Sequence, residues 1–193
     1  MKVLSYNKIG STISYELTNN ALKALFIAIL LIGFYIIIRF DWYSALGSII
    51  AIIHDILIVI SILIFFSYQF DINIIAAFLI IIGYSLNDTI VVFDRIRENL
   101  EEYSNMELYQ IINSSLNETL SRTITTSVTT LLALLAIYFV GGEVISDFTL
   151  AMIWGVMIGT YSSIFVASAF LTFFNLRRTR EEEKEDLNYF NNE

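Results

Sequence analysis

Long apolar runs separated by short polar breaks organise this chain. An α-helix rises about 1.5 Å per residue, so about 20 apolar residues cross a hydrocarbon core about 30 Å thick. Five stretches qualify, at about residues 21–38, 45–66, 72–93, 124–140 and 148–174. None shows the period-two alternation of a barrel strand, and lipid offers no hydrogen-bond partner to an open strand edge, so the spans are predicted to be helices. The expectation is an all-α integral membrane protein: one domain of five transmembrane helices over residues 21–175, after an external segment 1–20 and before a cytoplasmic acidic tail 176–193. Between the third and fourth spans, Asp94 to Thr123 is charged. Met106, Tyr109, Ile111 or Ile112, and Leu116 recur there at helical spacing. That pattern predicts a helix lying on the membrane surface and joining the two spans.

The distribution of basic residues orients the spans, because Lys and Arg favour the cytoplasmic ends. If the five spans alternate, Arg39, Arg95, Arg97, Arg122, Arg177, Arg178, Arg180 and Lys184 fall on one side and Lys2, Lys8 and Lys23 on the other. Eight against three predicts an external N-terminus and a cytoplasmic C-terminus. The breaks at Ser67 to Asp71 and Gly141 to Asp147 contain no Lys or Arg, in keeping with an external location.

Composition agrees with a membrane protein: 193 residues are 56% hydrophobic and only 16% charged, with a mean hydropathy of +0.69. The net charge of -8 owes much to five acids between Glu181 and Asp186, which read as a solvated end. No basic stripe with interleaved aromatics supports nucleic-acid binding. Zero cysteines exclude disulfides and thiolate chemistry, and the single His54 offers no histidine cluster for a transition metal, so neither metal nor cofactor is expected. Met1 to Asn20 is polar and mixed, unlike a secretory leader. No nucleophile–base motif such as GxSxG or HExxH is present, which argues against an enzyme.

Against this apolar background the polar residues inside the spans carry the chemistry. Asp88 sits within the third span, where a carboxylate costs about 2.5–3.5 kcal/mol on insertion scales and is retained for a purpose. Asn87 adjoins it, and Tyr84 and Ser85 precede it by one helical turn on the same face, able to hydrogen-bond it or line a water path. The fourth span opens with Arg122, Thr126 and Thr129 at i, i+4 and i+7, flanked by Thr125. This polar stripe is expected to meet Asp88, with snorkelling of Arg122 to the headgroups as the alternative. His54 and Asp55, in the middle of the second span, read equally as a proton-exchanging pair or a satisfied polar pair. In the fifth span Ala151, Gly155, Gly159, Ser163 and Ala167 repeat every four residues, a small-residue stripe that predicts close helix packing or subunit contact.

Three of these segments carry a resemblance. GYSLNDTIVVFDRIREN (Gly83 to Asn99), SRTITTSVTTLLALLAI (Ser121 to Ile137) and GTYSSIFVAS (Gly159 to Ser168) resemble the membrane motifs of the SecF branch of the SecD/SecF protein-export family, within the resistance-nodulation-division superfamily. RFDWYSALGSIIAIIHD, Arg39 to Asp55, is similar to a helix junction of the same family, and the likeness runs through most of Ala21 to Asn175. The resemblance implies an auxiliary subunit of the Sec translocase in the bacterial inner membrane. It would pair with SecD beside the SecYEG channel and use the proton-motive force to draw exported polypeptides outward. It also implies that Asp88 is the intramembrane acidic position and Arg122 its basic partner. Family members generally have a further helix and a periplasmic domain ahead of the first span seen here, and Ala169 stands where they usually have proline. A proton-coupled small-molecule or lipid exporter of the superfamily, and a non-transporting membrane assembly protein, are the alternative readings.

Overall fold

The computed structural model describes residues 11–68, 72–103 and 106–173. Its helices are α1 (Ser11–Arg39), α2 (Trp42–Phe65), α3 (Ile72–Glu102), α4 (Leu108–Val140), α5 (Ser146–Ser162) and α6 (Ser168–Thr172). A 3₁₀ turn, Glu143–Ile145, leads into α5, and a π-helical turn, Ser163–Ala167, joins α5 to α6 as one continuing rod. Counting that rod as one, five helices among the described residues are long and apolar enough to cross a membrane. The protein is an all-α multi-pass membrane protein, and the described residues contain no β-strand. The acidic tail 176–193, the first half of the segment ahead of the first span (residues 1–10), and residue 174 at the end of the last lie outside the described residues.

Helices outrun the apolar stretches because lipid crossing and helix formation answer to different constraints. From Tyr84 to Val140 there is neither glycine nor proline, so no helix breaker stands where either apolar run ends, and the helices run on into polar sequence as far as Glu102 and from Leu108. The surface helix expected over Asp94 to Thr123 is accordingly not a separate element. α3 continues to Glu102, α4 begins at Leu108, and the two polar ends pair with each other. Asn99, fully buried, donates through Nδ2 to Ser115 Oγ at 2.9 Å, and Arg95 hydrogen-bonds Glu118. Ile111 and Ile112 turn inward, whereas Tyr109 is 70% exposed. At the other end α4 stops at Gly141, and Gly142 adopts φ +79°, a left-handed conformation that favours glycine.

The α5–α6 rod packs against α2, α3 and α4, while α1 lies at the rim against α2 and α3. The interior is layered. One apolar cluster joins Val59 and Leu63 of α2, Ala77, Phe78 and Ile81 of α3, Leu134 of α4 and Ala151, Met152 and Val156 of α5. A second joins Ala51, Val92, Phe93, Ile96, Ile112, Ala167 and Leu171. Along every one of these helices the residues between the two clusters include buried polar groups: Asp55, then Ser85, Asp88 and Thr89, then Thr119, Thr123 and Ser127, then Ser162 and Ser163. A polar belt is therefore sealed above and below by packed hydrocarbon.

Candidate functional site

The belt is built from steps of one helical turn. On α3, Ser85 and Thr89 are separated by four residues and Asp88 by three from Ser85, which brings all three to one buried face. Asn87, one position earlier than Asp88, is rotated about 100° away and is exposed. The structure thus separates Asn87 from the buried carboxylate instead of adding it to the same site.

Asp88 is 3% exposed, and among the described residues its Oδ2 has no hydrogen-bond partner. Burying such an oxygen without a partner is costly. Neither flanking hydroxyl supplies one: Tyr84 donates to Thr130 on α4 at 3.2 Å, and Ser85 donates to Asp55 Oδ2 on α2 at 2.6 Å. Thr123 Oγ1, buried on α4, is likewise unpartnered among the described residues. The next residue back, Arg122, is exposed and forms no ion pair among the described residues.

The stripe expected to meet Asp88 is turned differently. Thr125 and Thr129 are exposed and Thr126 only half-buried. Their hydroxyls return to carbonyls of their own helix, Thr126 to Arg122 O at 3.1 Å and Thr129 to Thr125 O at 2.9 Å. The inward face of α4 is the neighbouring series Thr119, Thr123, Ser127 and Thr130, in which Ser127 Oγ lies 2.6 Å from Thr160 Oγ1 on α5. The sequence held this face too, at i, i+4, i+8 and i+11, ending on buried Leu134 at i+15. In a run so rich in hydroxyls, polarity alone does not tell the two faces apart, and the apolar residues that continue each face do.

On α2, Asp55 is 1% exposed; its Oδ2 accepts from Ser85 Oγ and its Oδ1 lies 3.1 Å from His54 Nδ1. His54 is the more open member of the pair. The small-residue stripe of the fifth span lies against α3. A Cβ on Gly155 would meet Ile81 at 2.3 Å, and one on Gly159 would meet Ser85 Cβ at 2.9 Å. Ser163, the first residue of the π turn, places its Oγ 3.1 Å from Ser85 O, 2.9 Å from Gly159 O and 3.0 Å from Thr89 Oγ1. No group of three or more potential metal ligands occurs among the described residues.

This architecture is found in known proteins. The model of the family "Protein export membrane protein SecD/SecF, C-terminal" matches residues 1–177. Protein translocase subunit SecF of Rhodobacter capsulatus is 45% identical over 192 residues, covering 100% of this chain and 58% of that protein. SecF of Sebaldella termitidis is 42% identical, covering 97% of this chain and 60% of that protein. The crystal structure of SecDF, a translocon-associated membrane protein from Thermus thermophilus, superposes with a TM-score of 0.82 at 46% identity, over 85% of this chain and 23% of that one. The chain spans little more than half the length of the SecF relatives it matches. With the family model reaching across residues 1–177 and the fold matched at this identity, the chain belongs to the SecD/SecF family of protein-export membrane proteins.

Proposed function

We propose that this chain is the membrane part of an auxiliary Sec translocase subunit that couples the proton-motive force, together with SecD, to late steps of protein export beside SecYEG in the bacterial inner membrane. What carries the reading is one observation: a carboxylate, Asp88, is buried inside a membrane-length helix with an oxygen left unpartnered among the described residues. The names of its relatives as translocase subunits support the setting. Asp88 alternates between acid and carboxylate, and its buried, unpartnered oxygen is the atom that takes and releases the proton. Each proton crossing the full potential supplies about 2.3 kcal/mol per 100 mV, enough to bias helix packing between two arrangements.

The test is export into inverted membrane vesicles by a complete complex carrying this domain, with and without a protonophore. The protonophore is expected to slow export with the native domain. Arg122→Lys, which keeps the charge but loses the planar fork, is expected to lower the proton-driven component several-fold without abolishing it. Export indifferent to the protonophore would contradict proton coupling.

The proposed orientation places the α3–α4 turn in the cytoplasm and the α4–α5 turn outside. Single cysteines at Glu107 and Glu143, both exposed, report on it directly because the chain has no cysteine of its own. An impermeant thiol reagent added to intact spheroplasts should label Glu143→Cys and spare Glu107→Cys. The reverse pattern would invert the topology.

A further inference from the structure

The proton-coupling reading uses Asp88 and Arg122 and leaves a second buried carboxylate without a task. Asp55 is 1% exposed, lies between the two apolar clusters, and is bonded at both oxygens: Oδ1 by His54 Nδ1 and Oδ2 by Ser85 Oγ at 2.6 Å. As a carboxylate it can only accept, so both neighbours must donate to it. As an acid it must donate once. Either the Ser85 bond reverses and the serine hydrogen finds another acceptor, or His54 changes tautomer and accepts at Nδ1. Taking up a proton therefore forces one of two named neighbours to rearrange.

Ser85 is where such a rearrangement would be felt. Its Cβ is 2.9 Å from where a Cβ on Gly159 would stand, and its Oγ 3.3 Å from the same point, so the serine occupies space that the glycine leaves open. Its carbonyl lies 3.1 Å from Ser163 Oγ and 3.2 Å from Thr89 Oγ1, next to the π turn. π turns inside α-helices recur at functional positions, because they are local departures that can be relaxed. Three residues further along α3 stands Asp88. The other groups around Asp55 are restricted in kind. Its own helix contributes His54, and α3 contributes Ser85 with Asp88 beyond it. On the α5–α6 rod the buried hydroxyls of Ser162 and Ser163 are bonded elsewhere, to Gly159 O and, for Ser163, also to Ser85 O, while α1 packs Leu25, Ile29 and Ile32 against the neighbouring Ile52 and Ile56.

We propose that Asp55 is a second proton-exchanging carboxylate of this membrane domain, and that Ser85 is the positioning residue through which its protonation state reaches the contact between α3 and α5. In the simplest step His54, as imidazolium, gives its Nδ1 proton to Asp55 Oδ1: the N–H bond breaks, the O–H bond forms, and the ion pair becomes two neutral groups. Ser85, which had donated to a carboxylate, is left donating to the carbonyl oxygen of a neutral acid, a weaker acceptor that frees its hydroxyl to turn. The proposal builds on the reading of Asp88 as a proton carrier, and the two are separable by experiment.

The experiment is infrared spectroscopy of the full chain in lipid, taking the protonated-carboxyl stretching band in acid-minus-alkaline difference spectra. Asp88→Asn should retain a titrating band that Asp88→Asn/Asp55→Asn lacks. Within the Asp88→Asn background, Ser85→Ala removes a donor to the carboxylate, and the pH midpoint of that band should move by about one unit or more. Gly159→Ala, whose methyl would meet Ser85 Cβ first at 2.9 Å, should move it as well. Should the double variant fail to insert, the Ser85→Ala and Gly159→Ala shifts carry the test, since both leave Asp55 in place. No band attributable to Asp55, or midpoints unmoved by both α3 and α5 substitutions, would overturn the proposal while leaving Asp88 untouched. Loss of the titrating band only on replacing Asp88 would do the same.

Discussion

Gly155→Leu is expected to lower the stability of the bundle by about 3 kcal/mol, seen as a clearly reduced melting temperature in detergent, while Leu132→Ile stays close to the native value. A Cβ on Gly155 alone would come within 2.3 Å of both Ile81 Cδ1 and Cγ1, and within 3.0 Å of Ile81 Cγ2. Ile81 is itself 1% exposed and held in the cluster of Val59, Phe78 and Val156, so it has no open space to retreat into. A leucine there must push α5 away from α3. Between apolar helices in lipid, close packing is itself the source of affinity, because the tails solvate a leucine as well as a neighbouring helix does. Leu132 is 62% exposed on α4, and exchanging one branched side chain for another costs little there. Equal melting temperatures for the two variants would mean that the α3–α5 contact does not hold the bundle together. The displacement would also lift Gly159 from Ser85, so Gly155→Leu should disturb the polar belt as well as the core.

Apolar length and spacing made the five membrane helices legible, since crossing a bilayer demands a run that nothing else in the sequence resembles. The small-residue stripe was legible for a related reason: Gly155 and Gly159 fall one turn apart, and only residues without bulk admit a helix as near as α3. Asp88 stood out because a carboxylate in such a run is expensive. Its surroundings did not. Four threonines and a serine lie within Thr123 to Thr129, and hydroxyls that satisfy themselves on their own helix cost little whichever way they face. The choice between Thr126 with Thr129 and Thr123 with Ser127 is made by packing, through Leu134 on one face and the hydroxyls of Tyr84 and Thr160 opposite. Spacing alone pairs Ser85 with Asp88. Its hydroxyl goes instead to Asp55 on another helix, a partner thirty residues away that periodicity within one helix cannot see. Over Asp94 to Thr123 the structure has the ends of α3 and α4 in place of a separate joining helix, because charge marks the end of a span and carries no instruction to end a helix. The π turn had no local signal in a chain without proline.

Asp88→Asn is the substitution with the largest expected effect on function. The amide matches the acid in shape and stays within reach of the same neighbours, yet it cannot take up or release a proton. The volume at this 3% exposed position is kept and only one carboxylate oxygen becomes an amide NH2, so packing around Asp88 should be close to native. The most direct measurement is export by a complete complex containing Asp88→Asn, compared with and without a proton gradient, alongside co-purification with SecD. Proton-dependent export should fall to the level seen with a protonophore, while recovery of SecD remains near native. Native proton-driven export from a normally assembled Asp88→Asn complex would contradict proton exchange at Asp88, and failure to recover SecD would assign the residue to assembly instead.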